Sequence, residues 1–207
     1  MTLSIRRATP ADAPALSQIC LLTGDAGKSA APIHTHSELP GLVWALPFVL
    51  IPKHTWGFVL VDDDDTVKGY ILGTSDTNAF RVAEEETWWP PLRERFPLEA
   101  KEGRTEADQW YIELIHRAPD PAPAECLAFG PAHMHIDLLP EVQRQGWGRK
   151  LVDAAVQHLK GLGIGALWLG MDPRNTEARK FYLKLGYKEI EGPRACVGLK
   201  FEDWKGL

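Results

Sequence analysis

A glycine turn between an apolar strand and an amphipathic helix constrains this 207-residue chain more than any other feature. The turn has the pattern Gln143-x-x-Gly146-x-Gly148 and follows a strand candidate that ends at Leu139. Glycines let the backbone approach an anion closely because no Cβ intervenes. The first N–H groups of the helix have no acceptor within it, and the helix dipole favours negative charge there. This segment therefore predicts a socket for a phosphate group.

Two common nucleotide sites do not fit the turn. It lacks the third glycine of the dinucleotide fingerprint, and no acidic residue about 20 positions further on follows cleanly. It also lacks the Lys-Ser/Thr ending of a nucleotide triphosphate loop. Because glycines end strands and begin helices in many proteins, an ordinary strand-to-helix turn stays open as the alternative.

The composition narrows the class of protein. A chain of 207 residues with 44% hydrophobic residues suits one domain with a sizeable core. The net charge of −5 argues against nucleic acid as a partner. Three widely spaced cysteines, Cys20, Cys126 and Cys196, favour neither a disulfide framework nor a zinc site. There is no apolar signal-peptide run and no stretch near the ~18 apolar residues of a membrane span, so we expect a cytoplasmic protein without a membrane partner.

The order of the predicted elements is that of a mixed α/β (α+β) fold. A first strand and helix precede a hairpin, and a long insert leads to a parallel strand pair that flanks the helix after Gly146. Segments 23–40, 78–104 and 118–123 are predicted to be a loop, an irregular insert and a stiff linker. The predicted strands are 3–7, 56–61, 67–74, 126–139, 164–171, 187–190 and 195–201, and the predicted helices include 42–51, 105–117, 146–162 and 175–185.

A second signature lies on the helix predicted from residue 175. Asn175 and Tyr182 are seven residues apart and fall on nearly the same face of that helix. Asn175 suits either a helix cap or a contact to an amide-rich ligand. Tyr182 presents its hydroxyl along the same groove, although a core tyrosine is the plain alternative. Together with the glycine turn, the pair favours a ligand site.

The two motifs, in this order, resemble those of the GCN5-related N-acetyltransferases (GNAT). The similarity is strongest over residues 136–190 and looser in the N-terminal strand, helix and hairpin. It implies a GNAT fold, with a mixed central sheet of about seven strands and helices on both faces. We expect a single domain over residues 1–207, with inserted segments 23–55 and 78–123.

A narrower resemblance is to the acetyltransferase-like domain at the C-terminus of animal O-GlcNAc hydrolases. It rests on residues 21–27, 69–76 and 181–186 and on the Trp-Pro insert. Because the glycine turn is intact here, we expect the chain at least to bind the cofactor. The alternative function is therefore an acetyl-CoA-binding pseudo-acetyltransferase with a regulatory or scaffolding role.

The GNAT resemblance implies acetyl-CoA as co-substrate, lying between two splayed central strands. Backbone groups near Leu138 and Leu139 would bond the pantetheine arm, and Asn175 would touch it. Tyr182 would donate to the departing thiolate, which suits a phenol of pKa ~10. The residues implied to hold the pyrophosphate are Gln143, Arg144, Gln145, Gly146, Trp147, Gly148 and Arg149.

Direct transfer also needs a base, because an amine of pKa ~10 arrives protonated. His133, His135 and Asp137 alternate along the strand before the turn and so share one face. The resemblance implies a proton relay from this strand, and we predict that His135 and Asp137 are catalytic residues together with Tyr182. The alternatives are a solvated polar face and a metal pair; since the sequence places no third ligand, we expect no metal.

The acceptor is expected to be a small-molecule or peptide amine, bound beside the inserted segments of a monomer or homodimer. Large aromatic residues cluster in these segments and at their borders: Trp44, Phe48, Trp56, Trp88, Trp89, Trp110 and Tyr111. We predict that half or more belong to the core and that the remainder line an amine pocket by cation–π contact. The predicted function is an acetyl-CoA-dependent N-acetyltransferase that works by direct attack of a primary amine.

Overall fold

The strands of the described residues form one mixed sheet. The computed structural model describes residues 2–118, 121–192 and 195–207. In chain order the strands are β1 (Ser4–Arg7), β2 (Thr55–Val61), β3 (Val67–Thr74), β4 (Ala132–Leu138), β5 (Ala166–Gly170), β6 (Lys188–Ile190) and β7 (Cys196–Lys200). They lie in the order β1-β2-β3-β4-β5-β7-β6, and only β4 and β5 run parallel. The prediction of a seven-stranded mixed sheet is confirmed.

Helices cover both faces of this sheet. They are α1 (Ala13–Thr23), α2 (Leu39–Trp44), α3 (Pro47–Leu50), α4 (Thr77–Thr87), α5 (Trp89–Arg95), α6 (Glu106–Arg117), α7 (Ala124–Phe129), α8 (Trp147–Gly161) and α9 (Thr176–Lys184). Short 3-10 turns at Pro10–Asp12, Ala31–Ile33 and Pro140–Val142 connect them. Within the described residues, none of the helices is long and apolar enough to cross a bilayer.

The apolar stripe of α8 anchors one face of the sheet. Its members are the residues expected from the spacing, and all are buried: Leu151, Val152, Ala155, Val156 and Leu159. They pack with Leu60 and Ile71 of the central strands. The glycine turn at the N-terminus of α8 is thereby held against the sheet.

The opposite face of the sheet is covered by α1 and α3. Leu16 and Phe48 from these helices share a buried cluster with Tyr70 and Leu72 of β3. Side chains alternate between the faces of a strand, and residues paired across two strands lie on the same face. Since Tyr70 is paired with Asp137, the polar row on β4 lies on the face that α1 covers.

The inserted segments build a helical layer with its own apolar centre. Residues from α2, α5 and α6 form this third cluster, whose buried members are Leu39, Leu42, Trp89, Leu92, Phe96, Tyr111, Ile112 and Ile115. Two segments that are far apart in sequence therefore meet beside α1.

The prediction of an irregular insert over 78–104 is wrong, because α4 and α5 occupy much of it. Asp76 caps α4 by accepting from the N–H groups of Asn78 and Ala79, each at 3.0 Å. Pro90 and Pro91 stand in the first turn of α5, where a missing N–H costs nothing. The prolines mark the start of a helix here rather than a break in the chain.

The predicted strand over 126–139 is too long. Its first part belongs to α7, and the strand begins only at Ala132, after Gly130 and Pro131. A short apolar run does not distinguish a buried helix from a strand, which explains the error. Of the linker predicted over 118–123, residues 119 and 120 lie outside the described residues.

Candidate active site

The two parallel strands separate after a short contact. They are paired only at Ala132 with Leu167 and at His133 with Trp168. Beyond that point β4 stays with β3 as far as Leu138, and β5 stays with β7. A gap therefore opens in the middle of the sheet, and it ends at the glycine turn.

The edge of β4 that faces this gap carries free backbone groups. The N–H of Leu139 donates to the carbonyl of Lys68 at 2.9 Å, on the β3 side. In an antiparallel pair these directions alternate, so the N–H groups of Ile136 and Leu138 point to the gap. The Leu138 carbonyl accepts from the side chain of Gln143 at 2.8 Å. Of the two residues predicted for the pantetheine, Leu138 offers an N–H to the gap and Leu139 does not, while Ile136 was missed.

The glycine turn owes its two glycines to different causes. Gly146 has φ 84°, and a Cβ added there would meet no heavy atom within 4 Å, so its backbone conformation is what requires glycine. A Cβ on Gly148 would lie 2.8 Å from Cζ of Phe181 on α9, so any larger residue there would force the Phe181 ring to move. The two glycines thus shape the turn and hold α9 against α8.

The turn presents a row of free donors. Among the described residues, no group accepts a hydrogen bond from the backbone N–H groups of residues 144–149. The first bonded amide of α8 is that of Lys150, which donates to the Gly146 carbonyl at 3.2 Å. Six consecutive amides at the start of a 15-residue helix suit an anion with several oxygens.

Two basic side chains at the start of α8 already contact other groups of the protein. The guanidinium of Arg149 donates to the Gly206 carbonyl and lies over the ring of Trp204. The ammonium of Lys150 lies 3.7 Å from the ring centroid of Trp147. Arg149 therefore offers its backbone amide to the gap, while its side chain ties α8 to the C-terminal segment.

Of the two residues in the second predicted motif, Asn175 immediately precedes α9 and Tyr182 lies within it. Asn175 caps the helix, with Oδ1 accepting from the N–H of Ala178 at 3.0 Å. Tyr182 is buried, and its ring packs between Phe181 and Tyr187. Burial and the negative charge of Asp137 raise the pKa of Tyr182 above its ordinary value. No described residue accepts a hydrogen bond from its hydroxyl, which therefore remains a donor for a ligand.

A carboxylate, an imidazole and a phenol meet on the α1 side of the gap. Tyr70 donates to Oδ2 of Asp137 at 2.7 Å, and its hydroxyl lies 3.2 Å from Nδ1 of His135. Nε2 of His135 is 3.6 Å from Oδ2 of Asp137. Burial raises the pKa of Asp137, although His135, Tyr70 and Thr23 offset part of that shift. The group is polar but largely enclosed, with Asp137 and His135 only 19% and 29% exposed.

His133 does not belong to this group. Its Nδ1 lies 2.7 Å from the hydroxyl of Thr77, and its ring packs among Phe48, Phe80 and Trp168. Burial, helped by a nearby guanidinium, lowers the pKa of His133 to about 3, so its imidazole is neutral at pH 7. His133, His135 and Asp137 are each partly exposed, so the face that they share is neither fully solvated nor part of the closed core.

The sequence missed the residues that other elements bring to the group. Tyr70 comes from β3, and Cys20 and Thr23 come from α1. Ligand atoms of Cys20, His135 and Asp137 lie within 4.8 Å of one another, so α1 supplies the third metal-ligand type that the sequence could not place. The expectation of no metal stays a prediction. In the sequence, only the alternation of side chains along β3 indicated which face of the sheet Tyr70 occupies. That information is useful only once the pairing of β3 with β4 is known.

These features define a class of protein, and comparison with known proteins agrees. Residues 30–187 match the Acetyltransferase (GNAT) family, and the chain belongs to that family. The crystal structure of SsHAT is similar over 97% of this chain and 99% of that one, with 33% identity and a TM-score of 0.85.

Two further comparisons complete the assignment. Protein O-GlcNAcase of Rattus norvegicus is 27% identical over 189 residues, which covers 90% of this chain and 20% of that protein. The chain thus spans about a fifth of that relative, and the resemblance to its acetyltransferase-like C-terminal domain is confirmed. PaiA N-acetyltransferase of Thermoplasma acidophilum, solved in complex with coenzyme A, shares the fold at 15% identity with a TM-score of 0.56, over 97% of this chain and 99% of that one.

Proposed function

We propose that the protein is an acetyl-CoA-dependent N-acetyltransferase that acetylates a primary amine by direct attack. The observation that carries this proposal is the gap between β4 and β5. It ends in six free amides, has the Asp137 group on one side and receives a free phenol from α9. These three features support a cleft that would receive an acyl donor, a base and a leaving-group donor.

The cofactor would be held mainly by backbone groups. The amides of residues 144–149 suit the pyrophosphate, because each is an unpaired donor at a positive helix end. The N–H groups of Ile136 and Leu138 suit the amide oxygens of the pantetheine, as an added strand would. Asn175 lies across the gap at the start of α9, where its amide nitrogen remains a donor.

Asp137 is proposed as the base that takes the proton from the incoming ammonium. A carboxylate whose pKa is raised by burial accepts a proton more readily than an exposed one. His135 is close enough to relay that proton, and Tyr70 orients the carboxylate. The neutral amine then attacks the acetyl carbon, and the bond from that carbon to sulfur breaks. The nitrogen loses a second proton as the amide forms, and the departing thiolate takes up a proton, so the products are the amide and the free thiol.

Tyr182 is proposed to stabilise the sulfur that leaves. Its raised pKa keeps the phenol protonated at neutral pH, so it can donate to a thiolate. Its ring is fixed by the neighbouring tyrosine and phenylalanine, which limits the reorganisation needed during the reaction.

Calorimetric titration with acetyl-CoA, followed by thiol release with a panel of primary amines, tests this proposal. We expect one binding site and amine-dependent thiol release that Asp137→Asn abolishes. Asp64→Asn, in the exposed turn between β2 and β3, is the matched control and should leave both unchanged. An absence of acetyl-CoA binding would reject the proposal together with its alternative. Tight binding without any acetylated amine would favour a CoA-binding module.

A further inference from the structure

Two tryptophans of the inserted helices remain at the surface beside a buried tyrosine. Trp44 on α2 is 37% exposed and Trp110 on α6 is 49% exposed, whereas Trp56 and Trp89 belong to the core. The indole N–H of Trp44 donates to the hydroxyl of Tyr111 at 3.2 Å. The rings of Trp110 and Tyr111 meet edge to face, with centroids 4.9 Å apart. We call Trp44, Trp110 and Tyr111 the aromatic wall.

The aromatic wall stands next to the catalytic group. Its α2 helix packs on α1, which carries Cys20 and Thr23. Burial raises the pKa of the Tyr111 phenol, and acidic groups around it raise that pKa further. These neighbours include Cys20, Asp137 and Asp172. Ala45, the neighbour of Trp44, shares a buried cluster with Cys20, and ligand atoms of Cys20, His135 and Asp137 lie within 4.8 Å of one another.

A buried carboxylate holds the wall in position. Asp108 pairs with His34 at 2.7 Å and accepts from the N–H groups of Thr35 and Thr105 at 3.1 and 3.0 Å. The ring of His34 in turn contacts Tyr111 edge to face, with centroids 5.2 Å apart. The side chain of His34 is enclosed, with only 1% of it exposed. A rotamer fixed in this way gives an arriving ligand a preformed surface.

An acidic rim lies just beyond the C-terminal end of α1. The turn after α1 and the loop before α9 meet where the Arg174 guanidinium binds Asp25 at 3.0 Å and Asp172 at 2.7 Å. A Cβ added to Gly27 would lie 3.2 Å from the amide nitrogen of Asn175, so the two segments are in close contact. Two carboxylates share one cation here, which leaves negative charge at this rim.

We propose that the aromatic wall binds the acceptor, and that the acceptor is a primary amine carried on an apolar, uncharged group. This inference rests on the proposed acetyltransferase function and names its substrate class. Indole and phenol faces attract an ammonium and cover an apolar substituent. The acidic rim repels an amine that bears a carboxylate beside it, so free amino acids are poor acceptors.

Three amines of similar size test the inference: 2-phenylethylamine, 2-cyclohexylethylamine and phenylalanine. Each is assayed for acetyl transfer and is also titrated into the protein–CoA complex by calorimetry, so that recognition has a readout independent of turnover. We expect both amines without a carboxylate to bind at least about 10-fold more tightly than phenylalanine, because the carboxylate of phenylalanine would lie close to the acidic rim.

Substitutions in the aromatic wall should weaken amine binding more than they slow acetyl transfer. Trp44→Ala is expected to raise KM and Kd for 2-phenylethylamine about 5- to 30-fold, with kcat changed less than about twofold. Trp110→Ala, at a more exposed position, should act in the same direction, and Trp44→Phe should restore most of the affinity. Leu162→Ala is the control, because Leu162 is an exposed apolar residue at the far end of α8.

The outcomes separate this inference from the proposed function. Amine binding that depends on Trp44 without acetyl transfer would support the wall and reject the transferase. Acetylation that neither tryptophan substitution affects by more than twofold would overturn the wall and leave the transferase intact. Equal affinity for phenylalanine and 2-phenylethylamine, or no amine binding at all, would also overturn the inference.

Discussion

Replacing Gly146 by alanine separates the backbone conformation of the turn from the space around it. The added methyl group would meet no heavy atom within 4 Å, so no steric clash arises. The cost is that of holding an L-residue at φ 84°, about 1–2 kcal/mol of folding free energy. For a chain of this size that corresponds to a melting temperature lower by about 2–8 °C.

The same substitution should weaken cofactor binding. If the turn relaxes to avoid the strain, the free amides of residues 144–149 no longer converge on one anion. A hydrogen bond to a charged group is worth about 1.5–3 kcal/mol. The loss of one such bond therefore lowers the affinity for CoA about 10- to 100-fold.

Thermal unfolding and calorimetric titration with CoA measure the two effects. Gly165→Ala is the matched control, since its Cβ also has free space and its φ lies outside the left-handed region. Gly146→Asn should fall between wild type and Gly146→Ala, because asparagine tolerates that region better. If Gly146→Ala melts and binds CoA like Gly165→Ala, the reasoning about the turn is refuted.

Three further predictions concern the proposed catalytic groups. The wild-type kcat/KM should fall as the pH drops through the pKa of Asp137, which is raised above its ordinary value of about 4. This acidic limb of the pH–rate profile should disappear in Asp137→Asn, whose rate at neutral pH should be lower by at least about 100-fold. An acidic limb that persists in the variant would contradict the role of Asp137 as the base. Tyr70→Phe removes a hydrogen-bond donor to the Asp137 carboxylate and should therefore raise the pKa of Asp137 further. The acidic limb of the pH–rate profile should move to higher pH, and a shift to lower pH would contradict this reasoning. Tyr182→Phe should lower kcat at least about 10-fold and leave the Kd of CoA within twofold, so weakened CoA binding would argue for a structural role instead.

The local structure of the turn and the helix starts proposed to hold the cofactor could be predicted from the sequence because its parts are local. A glycine turn, a helix start and a cap depend on residues within a few positions of one another. Gly146 and Asn175 therefore stand where their motifs placed them. The exact hydrogen bonds could not be predicted, since the Leu139 amide is taken by the carbonyl of Lys68.

The groups proposed for catalysis and for acceptor binding depend on contacts between distant segments. Tyr70 reaches Asp137 only because of the register between β3 and β4, and Cys20 comes from α1, the helix that covers this face of the sheet. Tyr111 and Trp44 meet although 67 residues separate them. The periodicity of a sequence does not predict which distant segments come into contact. The insert was also misread because its prolines begin helices, a position that composition alone does not distinguish from a loop.

Single-turnover acetyl transfer tests the central claim most directly. Acetyl-CoA bound to the protein is mixed with 2-phenylethylamine, and thiol release and amide formation are followed together in wild type and Asp137→Asn. We predict one amide for each thiol released by wild type, and a rate at least about 100-fold lower in the variant with unchanged cofactor affinity. Thiol release without amide formation, or equal rates in both proteins, would contradict direct transfer with Asp137 as the base.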